Sequence, residues 1–211
     1  MKKLIYISTL SIVIIFGAVQ TKAQLGPLSA QYFQNPYLAN PAMAGINQGV
    51  EVSVGYRSQW SKIPGAPEQQ ALTLGYGKNR TGWGLNLYLD RAGLQRQLRA
   101  LASYAYHLPI SAGQSLHFGL SVGISQQRLS LEDIQGRGDD LSAQRYNDRE
   151  AYLDGDFGIA YTHNGLRLEA ALPNLDRLLR SDRENSMVDI ATFYAAAGYR
   201  FGLTTDQSWE L

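Results

Sequence analysis

Apolar and polar residues alternate one for one through most of the chain after residue 48. Between Val50 and Arg57, four apolar side chains occupy alternate positions, and glycine and polar residues occupy the positions between them. A period of two is typical of a β-strand whose two faces meet different surroundings. Leu101 is an exception, an apolar residue at a polar position of its run. Further runs begin near the following residues: Leu72, Trp83, Leu98, Leu116, Phe157, Leu166 and Phe193.

The runs predict an all-β fold of about eight strands, each long enough to cross a bilayer when tilted. Their polar face consists mainly of Gly, Ser, Thr and Asn, and it lacks the Lys and Glu density of a soluble surface. We therefore predict a transmembrane antiparallel β-barrel whose polar face lines the lumen and whose apolar face meets lipid. A soluble β-sandwich or a lipocalin-like barrel is the alternative.

The connections between the predicted strands differ in length according to the order of the strands. Those after odd-numbered strands are predicted at residues 61–68, 90–96, 127–152 and 173–187, and those after even-numbered strands at 77–82, 109–114, 164–165 and 202–207. Outer-membrane barrels have short periplasmic turns and longer outside loops. The parity therefore predicts that the odd connections, above all 127–152, lie outside the cell.

The two ends of the chain differ from the strand region. Residues 1–23 have a positive head, an apolar stretch and small residues before Gln24, which is typical of a secretory signal peptide. The strand region, residues 49–211, stops at Trp209-Glu210-Leu211, which resembles the opening of a further strand. We expect the chain to be a fragment of a larger barrel, because bacterial barrels close with an even strand number.

Composition excludes several classes of function. The first 23 residues hold three of the 19 basic residues and none of the 18 acidic ones, so the remainder carries a net charge of −2. A nucleic-acid partner, which requires a basic patch, is therefore not expected. The chain has no cysteine, which excludes thiol chemistry and cysteine metal sites. No cofactor is predicted.

Residues 24–48, here called the strap, separate the signal peptide from the first strand and contain two Asn-Pro steps. Proline fixes φ and removes a hydrogen-bond donor, and asparagine can bond to nearby backbone in its place. We predict an ordered segment packed at the periplasmic mouth of the barrel or inside it; a floppy tail is the alternative. The strap either seals the barrel or contacts a partner. Its motif residues are Gln31, Tyr32, Asn35, Pro36, Asn40, Pro41, Ala42 and Gly45.

The stretch from Gln31 to Gly45 resembles the pattern QY-x-x-NP-x-x-x-NPA-x-AG of the PorP/SprF family of Bacteroidetes. Three later segments are also similar to that family: Tyr56-Arg57-Ser58-Gln59-Trp60, Gly65-Ala66-Pro67 and Leu172-Pro173-Asn174-Leu175. The resemblance implies an outer-membrane protein associated with type IX secretion and gliding motility. It also implies a non-enzymatic role in the export or retention of a secreted surface protein such as an adhesin, together with other components of the secretion system.

Two other functions are considered. Asn40-Pro41-Ala42 also resembles a motif of fatty-acid channel barrels, which would make the protein a channel for hydrophobic or small solutes. An outer-membrane hydrolase would use a histidine and a serine, for which His117 and Ser121 share a face. No catalytic residue is predicted, because polar lining is the commoner role of such a histidine.

The connection 127–152 is predicted to be the docking loop for a partner, since functional residues concentrate on long loops. Its candidate contact residues are Asp139, Asp140, Arg145 and Asp148. Carboxylates in this loop, and in the following Asp154-Gly155-Asp156, could bind Ca²⁺. A mixed-charge surface is favoured, because arginines are interspersed and no full calcium-loop spacing is present.

Overall fold

The computed structural model describes residues 34–60, 63, 65–130, 151–176, 193–202 and 208–210. Two short 3-10 helices, Pro36–Leu38 and Pro41–Met43, precede the strands. The strands are β1 (Gly49–Ser58), β2 (Glu68–Lys78), β3 (Thr81–Ala92), β4 (Gln95–Ser111), β5 (Gln114–Leu129), β6 (Tyr152–His163), β7 (Leu166–Leu172), β8 (Tyr194–Gly202) and β9 (Ser208–Glu210).

The strands form one antiparallel meander in which each strand pairs with the next along the chain, from β1 to β9. The sheet curls into a half-barrel with a concave and a convex face. The prediction of an all-β antiparallel barrel fold with about eight strands is therefore confirmed. None of the described helices is long and apolar enough to cross a membrane.

The apolar positions of the strands lie on the convex, outward face. Val54 is 75% exposed and Leu120 is 55% exposed, whereas Thr73 and Ser103 on the concave face are about 5% exposed or less. A water-soluble protein places these two classes the other way round. The inversion fits an outward face that meets lipid, as the alternation predicts.

The uncharged part of the outward face has the height of a membrane. On β4 the outward positions from Leu98 to Leu108 carry no charge. A strand of this length, tilted by about 40°, spans roughly 25 Å, which matches the apolar band of outer-membrane barrels. Tyr76, Trp83 and Tyr104 are neighbours across three strands at one level of this band. Such aromatic rows mark the boundary between lipid and headgroups.

Four connections are two-residue turns: Asn79-Arg80, Gly93-Leu94, Ala112-Gly113 and Asn164-Gly165. The last confirms the predicted hairpin turn, with φ of 45° at Asn164 and 92° at Gly165. The other three are shorter than predicted, because the residues at both ends of each predicted connection continue the strand pairing. The predicted connection at residues 90–96, after an odd-numbered strand, is wrong in length: Asp90 pairs with Gln97 and Arg91 pairs with Arg96, so only two residues form the turn.

Leu101, the exception in the alternation, lies on the concave face and is only 2% exposed. Its partner on β5 is Gly123, which has no side chain to compete for the space. An apolar residue at a polar position is therefore accommodated inside the half-barrel. The predicted signal peptide, residues 1–23, and the first ten residues of the strap lie outside the described residues.

Candidate functional site

The described part of the strap lies along the concave face of the sheet. Each of its two Asn-Pro steps starts a 3-10 helix, because proline suits the first helical position. At the second step the Asn40 side chain accepts a hydrogen bond from the Ala42 backbone N–H at 3.0 Å. Asn35 makes no such side-chain cap, so its amide is available for the sheet. The proline-asparagine chemistry therefore folds the strap compactly without strand pairing.

The strap and the sheet share a small apolar core. The strand members are alanines, and two of the strap members are alanines as well, which lets the two backbones approach closely. The buried members of this core are Tyr37, Ala42, Met43, Ala44, Ala105 and Ala160. Leu38 packs separately against Ala71 and Tyr88. The apolar side chains of the outward face are exposed, whereas those between the strap and the sheet are buried. The core of the described protein therefore lies inside the half-barrel.

Two polar side chains of the strap bond to the concave face. The Asn35 amide donates to the Thr73 hydroxyl at 2.6 Å, and the Tyr37 hydroxyl donates to the Ser103 hydroxyl at 2.8 Å. Ser103 in turn shares a hydrogen bond with Ser121 at 2.6 Å. Burial raises the pKa of Tyr37 to about 12, although the Ser103 hydrogen bond opposes this shift. The phenol therefore stays protonated and keeps its role as donor at neutral pH.

Asn40 is the most deeply buried polar residue in the described part of the strap, with no exposed surface. Its amide donates to the Glu169 carboxylate at 3.1 Å and to the Ile159 carbonyl at 3.2 Å. Glu169 also pairs with the Arg167 guanidinium at 2.7 Å. A buried carboxylate needs such partners, since an unpaired buried charge is costly. Asn40 thus connects the strap to β6 and β7.

Glycines on the concave face make room for the strap. On five of these glycines a built Cβ would overlap strap atoms; at Gly84, for example, it would collide with the Tyr37 ring. The glycines with this property, here called the glycine cradle, are Gly77, Gly82, Gly84, Gly119 and Gly158. Gly45 completes the fit from the strap side, because its φ of +59° and its closeness to the Tyr76 carbonyl both require glycine. The glycines that the sequence analysis placed on the lumen face therefore make room for the strap backbone and side chains.

Two histidines, His107 and His117, lie side by side near the end of the sheet that carries the β2–β3, β4–β5 and β6–β7 turns, here called the short-turn end. Their Nδ1 atoms are 2.9 Å apart, and His117 Nε2 lies 2.9 Å from the Thr162 hydroxyl. Ser121 bonds to Ser103 and not to His117, so the described contacts do not form the serine-histidine pair of a hydrolase. Within the described residues, no group of three His, Cys, Asp or Glu side chains could hold a metal ion.

A buried ion cluster ties β4 to β6. The Arg99 guanidinium contacts Asp154 at 2.9 Å and Asp156 at 2.5 Å. The backbone N–H of Asn174, within the later family-like segment, donates to Asp156 at 2.9 Å. The two carboxylates that were considered for Ca²⁺ therefore face an arginine. This pairing explains why acidic residues are tolerated on a concave strand face.

The structure brings together the part of the predicted motif that it describes. Asn35, Asn40 and Gly45 contact the concave face as given above, and Pro36, Pro41 and Ala42 lie in the two short helices between them. Predicted residues outside the described part of the chain are Gln31, Tyr32, Asp139, Asp140, Arg145 and Asp148.

Sequence reasoning missed Tyr37, Ser103, Glu169 and the glycine cradle. Repeated glycine opposite an apolar strand face was the available signal. This glycine pattern indicated free space in the lumen, but it did not show that the strap fills that space.

The strap does not occupy all of the concave space. A polar cavity of about 440 Å³ remains at the short-turn end, between the strap and the β6–β7 turn. Its lining includes Asn47, Glu51, Thr162, Arg167 and Arg200. This end of the half-barrel is therefore polar.

A family model described as "Type IX secretion system membrane protein PorP/SprF" matches residues 21–211. No curated protein and no solved structure matches the chain. The matched range includes the whole predicted motif and the nine strands that the structure describes.

Proposed function

The chain belongs to the PorP/SprF family of type IX secretion system membrane proteins, and we propose that it helps to export or retain a secreted surface protein such as an adhesin. It is a β-barrel protein of the bacterial outer membrane and a membrane component of type IX secretion. The proposed role is non-enzymatic. Where the surface protein is an adhesin used in movement, the role extends to gliding motility.

The observation that carries this proposal is the packing of the strap inside the half-barrel. The side chains of Asn35, Tyr37 and Asn40 form hydrogen bonds to residues of four strands, β2, β4, β6 and β7. The glycine cradle leaves room for the strap. A concave face that already holds a built-in segment of its own chain is poorly suited to passing solutes. It is better suited to a rigid platform whose accessible parts contact other proteins.

The long connection between β5 and β6 is the proposed contact region on the outer side. It contains Asp139, Asp140, Arg145 and Asp148, whose charges suit a polar protein surface. The strap is the second proposed contact region, on the periplasmic side, where the cavity adjoins it. The two regions would let one barrel contact a substrate and the secretion machinery at opposite ends.

The proposal is tested by deleting the gene and measuring which type IX substrates remain on the cell surface. We expect one or a few surface proteins to be lost from the surface and recovered when the gene is restored. Uptake of a small fluorescent dye should stay unchanged, which separates a secretion role from a general membrane defect. Normal display of every substrate in the deletion strain would refute the proposal.

The channel alternative has its own measurement. The purified protein, placed in a planar lipid bilayer, should give no stable ion conductance, because the strap occupies the concave face. Steady conductance together with normal substrate display would favour a solute channel in place of the secretion role.

A further inference from the structure

Three arginines lie side by side on the outward face, at the end of the sheet that carries the β3–β4 turn. Arg91 pairs with Arg96 across β3 and β4, and Arg96 pairs with Arg128 across β4 and β5. All three side chains are exposed. Glu68 on β2 is the next residue in the same row, opposite Arg91. The row lies immediately beyond the uncharged band of the outward face.

This charge is unusual for its surroundings. We compared all Lys, Arg, Asp and Glu residues on the outward face of strands β1 to β8, within the described part of residues 49–200. Apart from the three arginines and Glu68, the one such residue is Lys78, at the opposite end of the sheet. Like charges directly opposite each other on neighbouring strands destabilise a sheet. A single arginine would be enough to anchor a strand at the membrane boundary. Three in a row therefore indicate a need for concentrated positive charge at this level.

We propose that Arg91, Arg96 and Arg128 bind the phosphate groups of an anionic lipid headgroup in the leaflet that surrounds this end of the barrel. Neighbouring strands are about 4.8 Å apart, so the row presents three guanidinium groups over roughly 10 Å. Guanidinium binds phosphate through paired N–H donors and is weakly hydrated, which suits a membrane surface. This proposal is independent of the secretion role.

The surface below the row fits the rest of such a lipid. A groove of about 370 Å³ contains all three arginines and continues over Leu89 and Leu98. Phosphate at the arginines would place acyl chains along the apolar band directly beneath. Lipid in this position covers both parts of the groove, whereas a free phosphate ion would leave the leucines exposed.

The groove also contains polar and acidic groups that modulate its charge. Arg96 donates to the Ser130 hydroxyl at 3.2 Å, which holds its guanidinium at the edge of the groove. Glu68 and Asp90 border the groove. Asp90 occupies a concave-face position, where its carboxylate interacts with Gln69 and Tyr88. Three guanidinium groups against two carboxylates leave the groove positive.

The test measures lipid binding by the purified full chain in a neutral maltoside detergent. The probe is bisphosphorylated lipid A, and the readouts are bound lipid by native mass spectrometry and the shift in thermal unfolding. Replacing all three residues, Arg91→Gln, Arg96→Gln and Arg128→Gln, should weaken binding by about tenfold or more, since each arginine contributes a charge-assisted contact. The matched control, Lys78→Gln, should stay within about twofold, because Lys78 lies at the other rim.

Folding is controlled in the same samples. Without lipid, the triple glutamine variant should unfold at the same temperature as the parent or higher, because the repulsion in the row is removed. If that variant does not fold, Arg96→Gln alone removes the central charge and should still weaken binding. Replacement of all three by lysine should retain part of the affinity, since charge remains but the paired donors are lost.

Three results would overturn the proposal. One is binding of lipid A by the glutamine variant within about twofold of the parent. Another is equally tight binding of dephosphorylated lipid A, which would assign the groove to acyl chains alone. The third is stabilisation by inorganic phosphate as large as that by lipid A, which would make the row a site for free anions.

Discussion

Asn40 shows how much of the strap's attachment rests on one side chain. It caps the second 3-10 helix through the Ala42 N–H and donates to the Glu169 carboxylate, with no contact to water. Asn47, also on the strap, makes a comparable hydrogen bond to Glu51, but in an exposed position. The two asparagines differ in burial and therefore in expected energetic weight.

Replacing Asn40 by alanine should lower the free energy of unfolding by about 1 to 3 kcal/mol, because a buried carboxylate and a buried N–H each lose a partner. Asn47→Ala is the control and should change it by less than about 0.5 kcal/mol, as exposed substitutions do. Urea unfolding in detergent, followed by tryptophan fluorescence, measures both. Equal effects of the two variants would contradict the buried role of Asn40.

Gly84 and Gly75 form a matched pair for testing the glycine cradle. They face each other across β2 and β3. A Cβ at Gly84 would overlap the Tyr37 ring, whereas a Cβ at Gly75 would make ordinary contacts at 3.6 Å or more. Gly84→Ala should therefore destabilise the protein by about 1 to 3 kcal/mol through overpacking. Gly75→Ala should be nearly neutral; similar losses in both variants would show that the strap does not depend on the cradle.

Tyr37 predicts a dependence of stability on alkaline pH. Its pKa is raised to about 12 in the folded protein, above its ordinary value of about 10. The neutral phenol therefore stabilises the fold fully below about pH 10, and this contribution is lost as pH rises through about 12. The parent should lose more stability than Tyr37→Phe between these limits, by up to about 2 to 3 kcal/mol. Parallel pH curves for the two proteins would exclude this role.

At the level of single residues, the sequence allowed part of the site to be predicted. The Asn-Pro motif was recognised because its members lie within a few positions of each other. Their partners could not be found in the same way, since Ser103 lies 66 residues from Tyr37 and Glu169 lies 129 residues from Asn40. The strap must fold onto the concave face before these residues meet.

The strands were predictable because the two faces of each strand meet very different surroundings, and the period-two pattern records this directly. Turn lengths were less predictable. Asp90, Arg91 and Arg96 are charged and polar residues of the kind expected in a loop, yet they continue the ladder between β3 and β4. At a membrane rim, strands extend beyond the apolar band, so polarity marks the membrane boundary and not the end of the strand.

The orientation of the strands in the membrane can be tested because the chain has no cysteine. Single cysteines are introduced as Leu94→Cys, in the β3–β4 turn, and Arg80→Cys, in the β2–β3 turn; both positions are exposed. A membrane-impermeant maleimide applied to intact cells should label only the cysteine at position 94, since odd connections are predicted outside. Labelling of position 80 alone would reverse the orientation. Lysed cells provide the control, in which both should react.

At the scale of the whole molecule, the half-barrel has its apolar side outward and its packed core inside, between the strap and the concave face. This arrangement explains how a sheet with small and polar inward residues can still have a rigid interior. It also assigns different tasks to different surfaces. The outward face meets the membrane, the concave face holds the strap, and the accessible ends are the proposed contact regions for the secretion machinery and its substrate.

The most direct test of this account is the surface display of type IX substrates in a deletion strain that carries the parent gene, Gly84→Ala or Gly75→Ala. Each variant must first be shown by fractionation to reach the outer membrane in equal amount. We predict that the parent and Gly75→Ala restore display, whereas Gly84→Ala restores it only partly because the strap is displaced from the cradle. Full restoration by Gly84→Ala, or normal display without any copy of the gene, would contradict the account.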